Sequence, residues 1–209
     1  FNLPVTVLEP SVINGIFNER ENIFNVDAKI FKLDLNGGLI RSFNVNGKTG
    51  SSGLALNVQM VKPLSRKIKN FDYNNRTEDI VVRVNANAVS DKAHFYVNWN
   101  NFKPDDVMMG TVRMDAELSR DDKRELELKA RIHNDSITHN NKVWHINEGT
   151  VMGKMDRLLV ENVGLYSGEQ SVKVEGVVGK EESDTLKAYL DDFEVATVFD
   201  LIKFRILDF

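Results

Sequence analysis

The chain contains no cysteine among its 209 residues. A disulfide framework, a thiolate metal site and a cysteine nucleophile are therefore impossible. This absence fits a reducing compartment and an oxidising compartment equally well.

The sequence also lacks an excess of charge of either sign and any long apolar run. It has 27 Lys and Arg against 31 Asp and Glu, for a formal net charge of -4, and the two signs are interspersed. This balance argues against a nucleic-acid partner and against a polybasic membrane patch. No window approaches the roughly 18 apolar residues of a membrane-spanning helix. The N-terminus, Phe1-Asn2-Leu3-Pro4-Val5, has no initiator Met or signal peptide, and we expect the chain to be a fragment of a longer protein.

Catalytic motifs are missing as well. The sequence has no G-x-S-x-G nucleophile elbow, and its glycine pairs lack the context of a phosphate-binding loop. We therefore expect no enzymatic activity and no cofactor.

Several residues could in principle form a site. His94, His133, His139 and His145 have no partner at metal-ligand spacing, so we expect solvated or edge histidines and no metal.

The acidic pairs at 105–106 and 191–192 are adjacent in sequence, and adjacent strand residues point to opposite faces. Solvated turns or a helix cap therefore suit them better than glycoside chemistry. Trp99 and Trp144 are expected in the core or at its rim, with a carbohydrate platform as the alternative.

Two runs between Thr111 and Ile132 alternate apolar and polar residues. A period of two is typical of β-strands with one apolar face, and a helix cannot produce it. The charged residues 120–124 between the runs suit a hairpin loop. The apolar residues are Val112, Met114, Ala116 and Leu118 in the first run, and Leu126, Leu128, Ala130 and Ile132 in the second.

Similar alternation recurs along the chain and predicts a series of strands. Turn signals such as Asn46-Gly47, Ser90-Asp91 and Ser167-Gly168 punctuate it. We predict a meander of antiparallel strands that forms one unit over residues 1–209. The other runs are Phe24 to Ile30, Phe43 to Val45, Leu54 to Met60, Ile80 to Ala88, Ala93 to Trp99, and Gln170 to Val178.

Two segments depart from this pattern. Lys62 to Asn75 contains Pro63 and a basic cluster, which predicts a polar loop. Val195, Ala196, Phe199 and Ile202 keep helical spacing after acidic residues, which predicts one short helix near the C-terminus.

A sheet this amphipathic has to cover one face. A second packed sheet, a closed barrel or a curl into a trough with an apolar lining would each do so. The residue pattern alone leaves these three solutions open.

A family resemblance begins at Ile137. The segments that carry it are 137–147, Leu159-Val160-Glu161-Asn162-Val163, 167–176, Ser183-Asp184-Thr185-Leu186, 190–194 and 198–201, with Ile13-Asn14-Gly15-Ile16-Phe17 and 24–28 upstream. Their order resembles the C-terminal region of the TamB family of Bacteroidetes, which are AsmA-like translocation and assembly module proteins.

The resemblance implies a segment of a large periplasmic protein that is anchored in the inner membrane. Its fold would be all-β, an extended antiparallel meander curled into an open groove with an apolar lining. The implied role is lipid transfer between the two membranes or assembly of outer-membrane proteins. The implied partners are phospholipid acyl chains, nascent outer-membrane proteins and a BamA-like outer-membrane barrel. The alternating residues that would line the groove are Leu56, Val58, Val82, Val84, Val112, Met114, Ala116, Leu118, Leu126, Leu128, Ala130 and Ile132.

The alternative from another class is a closed β-sandwich that binds carbohydrate or spaces domains in a surface protein. It predicts apolar faces that bury each other and an exposed Trp99 or Trp144.

Overall fold

The computed structural model describes residues 5–35, 38–63, 79–139, 141–154 and 156–192, and within these ranges it contains strands and no helix. The strands are β1 Val5–Val7, β2 Val12–Asn18, β3 Ile23–Ile30, β4 Leu33–Leu35, β5 Gly38–Ile40, β6 Ser42–Gly50, β7 Gly53–Pro63, β8 Asp79–Val89, β9 Lys92–Asn100, β10 Met109–Arg120, β11 Leu126–Ile132, β12 Asp135–His139, β13 Lys142–Ile146, β14 Gly149–Lys154, β15 Arg157–Ser167, β16 Gln170–Val178 and β17 Leu186–Asp191.

Fourteen of these strands form one antiparallel sheet. The short strands β1, β4 and β5 form a separate sheet, in which Leu33 and Ile40 are buried. The prediction of an all-β antiparallel fold is confirmed.

Two pairs of strands are parts of longer strands. Ile132 of β11 pairs with Gly149 of β14, and three residues further on Asp135 of β12 pairs with Ile146 of β13. The register therefore continues from one pair into the other without a shift. Counted this way, the strands of the large sheet follow one another in chain order from β2 to β17, with β4 and β5 as an excursion after β3. The predicted meander is confirmed.

The large sheet is open within the described ranges. Its edge strands β2 and β17 each pair with a single neighbour, β3 and β16 respectively. Neighbouring strands lie about 4.8 Å apart, so twelve successive strands extend over about 53 Å along the sheet. Within the described ranges the sheet is therefore not closed into a barrel.

The predicted strand runs are confirmed, but one predicted turn is wrong. Asn46 and Gly47 lie inside β6, where a Cβ on Gly47 would come within 2.9 Å of the Phe24 and Val26 side chains. Glycine is therefore present for close packing and not for a turn.

Other predictions fall partly or wholly outside the described residues. Lys62 and Pro63 belong to β7, which corrects the start of the predicted loop, and residues 64–75 lie outside the described ranges. The predicted helix around 195–202 also lies outside them. Asp191, expected near its start, is the last residue of β17.

Candidate functional site

The apolar residues of successive strands meet in cross-strand register. Val45 pairs with Val58, Val58 with Val84, Val84 with Val97, and Val97 with Val112. Directly opposed residues share one face of a sheet. The meander therefore carries one continuous apolar face.

All of the predicted lining residues lie on this apolar face. The β10 and β11 members pair directly, as in Met114 with Ile132 and Leu118 with Leu128. Leu56 joins the same face through its pairing with Gly47 and Ala86. The structure thus brings together the residues that the alternation selected.

Most of the apolar face is only half-buried. Among the predicted lining residues, Val82 and Ala130 are buried, eight are intermediate, and Leu118 and Leu126 are exposed. A face covered by a second sheet would be buried along its whole length. The described residues therefore show no second sheet that buries this face along its whole length.

One end of the apolar face is closed by packing. Ile80, Val82 and Trp99 form a buried cluster against which Met108 and Ile137 pack. Trp144 pairs with Ile137 across β12 and β13 and is 1% exposed, and Trp99 is 6% exposed. We call this region the tryptophan end. The exposed tryptophan that a carbohydrate platform needs is absent, since both tryptophans of the sequence lie here.

The loop of residues 101–108 holds Met108 over the tryptophan end. The buried Asn101 side chain organises this loop: its Oδ1 accepts the Met108 N–H at 3.0 Å and its Nδ2 donates to the Asp106 carbonyl at 2.6 Å. Asn141 clamps the same loop, accepting the Val107 N–H at 3.1 Å and donating to the Asp105 carbonyl at 2.9 Å. The closure is therefore fixed by hydrogen bonds as well as by apolar contact.

The opposite end of the apolar face, near the 120–126 turn, stays accessible. A row of cross-strand neighbours runs over five successive strands, and we call it the turn-end row: Leu118, Leu128, Gly153, Leu158 and Val178. Leu118 is 43% exposed and Val178 is 48% exposed. The apolar face is thus closely packed at the tryptophan end and becomes accessible to solvent toward the 120–126 turn.

The pairing with β10 shifts by one residue between β11 and β12, and this β-bulge explains which residues of the apolar face the sequence did not predict. Ile132 and Ile137 both lie on the apolar face, although they are five positions apart and would point to opposite faces in a regular strand. The extra residue reverses the alternation. Ile137, Trp144 and Ile146 therefore fell out of the predicted lining, and the signal for them was the restart of alternation in 135–146.

The Asp135 side chain replaces a backbone hydrogen bond that is lost at this bulge. Its Oδ2 accepts the Arg113 backbone N–H at 2.8 Å, and its Oδ1 accepts the Arg113 Nε–H at 3.0 Å. The next breaks in the ladder are bridged similarly: Asn134 Oδ1 accepts the Glu148 N–H at 2.7 Å, and Asn162 Nδ2 donates to the Glu148 carbonyl at 2.7 Å. Ladder hydrogen bonds lost at the bulge and at these breaks are thus replaced by side chains.

The other face of the sheet carries charges in opposed pairs. Glu117 lies opposite Lys92 and Lys129, and Asp115 lies opposite Arg131. At the turn, Lys154 pairs with Asp121 at 2.8 Å and also with Glu125. The hydrogen bond from Lys154 lowers the pKa of Asp121. Opposed charges of this kind stabilise a solvated face.

The strand register also brings three side chains into a contact that the sequence did not predict. Asp115 lies between two histidines, with Oδ1 2.5 Å from His94 Nδ1 and Oδ2 2.8 Å from His133 Nε2. The hydrogen bonds from His94 and then His133 lower the pKa of Asp115. The three residues come from β9, β10 and the bulge, so only strand register could have revealed their proximity.

Neither a metal site nor a membrane-spanning helix is found in the described ranges. No group of three or more His, Asp or Glu side chains there has an arrangement suited to a metal ion. No helix in the same ranges is long and apolar enough to cross a membrane. The acidic pair at 105–106 is exposed in the loop before β10, as expected of a solvated turn.

Comparison of the chain with models of known protein families, with curated proteins and with solved structures found no match.

Proposed function

We propose that this chain is a non-enzymatic segment of a TamB-like envelope protein whose apolar sheet face carries phospholipid acyl chains across the periplasm. The observation that supports the proposal is the continuous apolar face, which runs in register across the meander and is only partly covered. In this role the full-length protein would be anchored in the inner membrane.

The physical basis is the hydrophobic effect. Each CH₂ group of an acyl chain costs about 0.8 kcal/mol when it is exposed to water. A half-buried row of Val, Leu and Met side chains removes that exposure without holding the chain in a pocket, so the chain can slide from strand to strand. The face needs no catalytic residue and no cofactor for this.

A second candidate function is assembly of outer-membrane proteins, with a BamA-like barrel as the partner. The exposed edge strand β2 supports it, because Ile16 is 63% exposed and Phe17 is 76% exposed. An unpaired strand edge can accept an extended client strand through main-chain hydrogen bonds.

Site-specific photo-crosslinking in cells tests the two functions. A probe at Leu128 or Leu56 lies on the apolar face, and a probe at Lys129 or Asn57 lies on the other face of the same strand and is exposed. We expect lipid adducts at Leu128 and Leu56 only.

The other outcomes are equally informative. Protein adducts at β2, with no lipid adducts on the apolar face, would replace lipid transfer by the assembly function. Equal adduct yields at Leu128 and Lys129 would contradict a role for the apolar face.

A further inference from the structure

We infer that the face of the sheet opposite the apolar face binds an extended, uncharged polysaccharide on strands β6 to β9. This site lies on the other side of the sheet from the proposed lipid-carrying face and does not depend on that function. Two neighbouring cross-strand rows form it, and we call them the amide patch: Asn44, Gln59, Arg83 and Asn98 in the first row, and Asn46, Asn57, Asn85 and Tyr96 in the second.

The amide patch is set apart by its composition. Six of its eight positions carry an amide side chain, and Arg83 is its only charged residue. Asparagine is disfavoured in strands, whereas Val and Thr suit them. Further along the same face, β10 and β11 carry opposed charges instead, as in Glu117 with Lys129. The amides are therefore a feature of this patch and not of the whole solvated face.

The fold makes little use of these amides. Asn57 lies directly between Asn46 and Asn85, yet none of the three side chains hydrogen-bonds to another residue in the described ranges. Gln59 differs, since its Oε1 accepts the Arg83 Nε–H at 3.3 Å. Local rules of strand composition are broken mainly at functional positions. Amides that suit a strand poorly and stabilise no contact are thus available to a ligand.

Two shallow cavities lie over the patch, and Arg83 lines both. The first, of about 280 Å³, is lined by residues of β3, β6, β7 and β8 that include Asn57 and Asn85. The second, of about 270 Å³, is lined by Phe102 and by residues of β8, β9, β10 and β12 that include Asn98. Each is close to the lower size limit of small-molecule sites, about 300 Å³. Because they share Arg83, one extended ligand can occupy both.

Phe102 supplies an aromatic surface at the second cavity. It is 65% exposed, and its φ of 56° is a backbone conformation that bulky residues rarely adopt. Asn100 Oδ1 accepts the Phe102 N–H at 2.6 Å and helps to hold this conformation. Strained backbone of this kind is concentrated at functional sites. An exposed ring beside a polar cavity offers a flat, electron-rich face on which the C–H groups of a sugar ring can stack.

The chemistry of the patch selects an uncharged, hydroxyl-rich ligand. An amide side chain carries both donors and an acceptor, and neighbouring hydroxyl groups of a sugar offer the same combination. A polyanion would need a cluster of Lys and Arg, whereas the patch has Arg83 alone. Asp27 and Lys29, which line the first cavity, cancel in charge. A second sheet or a helix would need apolar residues at the centre of its contact, and the patch offers only Tyr96.

Titration of the isotope-labelled chain with neutral hexasaccharides, followed by NMR, tests the inference. The probes are the hexasaccharides of glucose, mannose and N-acetylglucosamine, and the readout is the side-chain NH₂ signals of asparagine. We expect at least one probe to shift the signals of Asn57, Asn85 and Asn98. The signal of Asn162, which lies in β15, should not move. The absence of shifts in the patch with all three probes at millimolar concentration would overturn the inference.

Matched variants separate binding from stability. Asn85→Val removes an amide of the patch and suits the strand better. We therefore expect about tenfold weaker binding, the effect of one or two lost hydrogen bonds, with an unchanged or higher melting temperature. Asn87→Val makes the same change two residues further along the same face of β8, outside both cavities, and should leave binding unchanged. Phe102→Gly suits the left-handed backbone but removes the ring, so it should weaken binding without loss of stability.

Two results with these variants would also overturn the inference. Equal loss of binding in Asn85→Val and Asn87→Val would assign the binding to the polar surface at large. Full binding by both Asn85→Val and Phe102→Gly would remove the patch and the ring from the site. Neither result bears on the apolar face, which the crosslinking experiment tests separately.

Discussion

Asp135 is the residue on which the bulge between β11 and β12 depends. Its carboxylate is 8% exposed and accepts both the backbone N–H and the side chain of Arg113. The hydrogen bond to Asp135, followed by the charge of that carboxylate, raises the pKa of Arg113. Without the carboxylate, the Arg113 backbone N–H has no replacement for its lost ladder bond.

We therefore expect Asp135→Ala to lower the free energy of unfolding by about 1 to 2 kcal/mol, the cost of leaving such a donor unpaired. Asp135→Asn keeps an acceptor oxygen and should cost clearly less. Urea denaturation of the two variants measures the difference. Equal losses for Ala and Asn would show that the acceptor is not what matters at this position.

The second residue-scale prediction concerns acid pH. Because the histidine hydrogen bonds lower the pKa of Asp115, its ionised form is more stable in the folded chain than in the unfolded chain. This contribution is present above the ordinary Asp pKa of about 3.9 and is lost as the pH falls through the lowered value.

Urea denaturation of the natural chain and of Asp115→Asn, repeated between pH 6 and pH 2, tests this prediction. The difference in stability between the two should shrink as the pH falls below about 4. Arg131, which lies opposite Asp115, and the neighbouring Arg113 and Glu117 stay the same in both proteins. A difference that does not change over this range would contradict the prediction.

At the scale of the strand, glycine positions decide how closely neighbouring strands pack. Gly110 of β10 lies between Trp99 of β9 and Ile137 of β12, with the Trp99 ring over its Cα. Gly50, at the β6–β7 turn, has nothing within 4 Å of where a Cβ would be. The same residue type is required by packing at one position and not at the other.

Gly110→Ala should therefore cost about 1 to 3 kcal/mol of stability through overpacking. Gly50→Ala should be neutral or stabilising by up to about 1 kcal/mol, since it restricts the unfolded chain. Thermal unfolding of the two variants gives the comparison. Equal melting temperatures would show that the tryptophan end is packed more loosely than its contacts indicate.

Strand existence was predictable because alternation depends on near neighbours in sequence, as the Val112 to Leu118 run illustrates. Contacts that depend on strand register were not predictable from the sequence. His94 and Asp115 meet only because β9 and β10 pair without a shift, and Ile137 joins the apolar face only because a bulge precedes it. Gly47 looked like a turn because the need for a glycine beneath Phe24 is set by the neighbouring strand.

At the scale of the whole molecule, the sheet is one layer with two free edges in the described ranges. The choice between a packed second sheet and an open face could not be made from the residue pattern, because an apolar face looks the same in both. Burial decides it: the lining residues are mostly half-buried, and full burial is concentrated at the tryptophan end. An open single layer keeps its apolar face and its edges available at the same time.

The edges lead to the last prediction. Strand β2 is almost entirely exposed, its seven residues carry no charge and no proline, and its outer side is unpaired in the described part of the chain. Such an edge is a template for pairing with another strand.

We expect the purified chain to self-associate as its concentration rises. We expect Ile16→Lys to suppress this association because a charged edge resists pairing. Asn57→Lys adds the same charge at an exposed position on the interior strand β7 and should have no such effect. Sedimentation velocity over a range of concentrations measures both variants. Equal suppression by the two would assign the effect to net charge and remove the edge from the explanation.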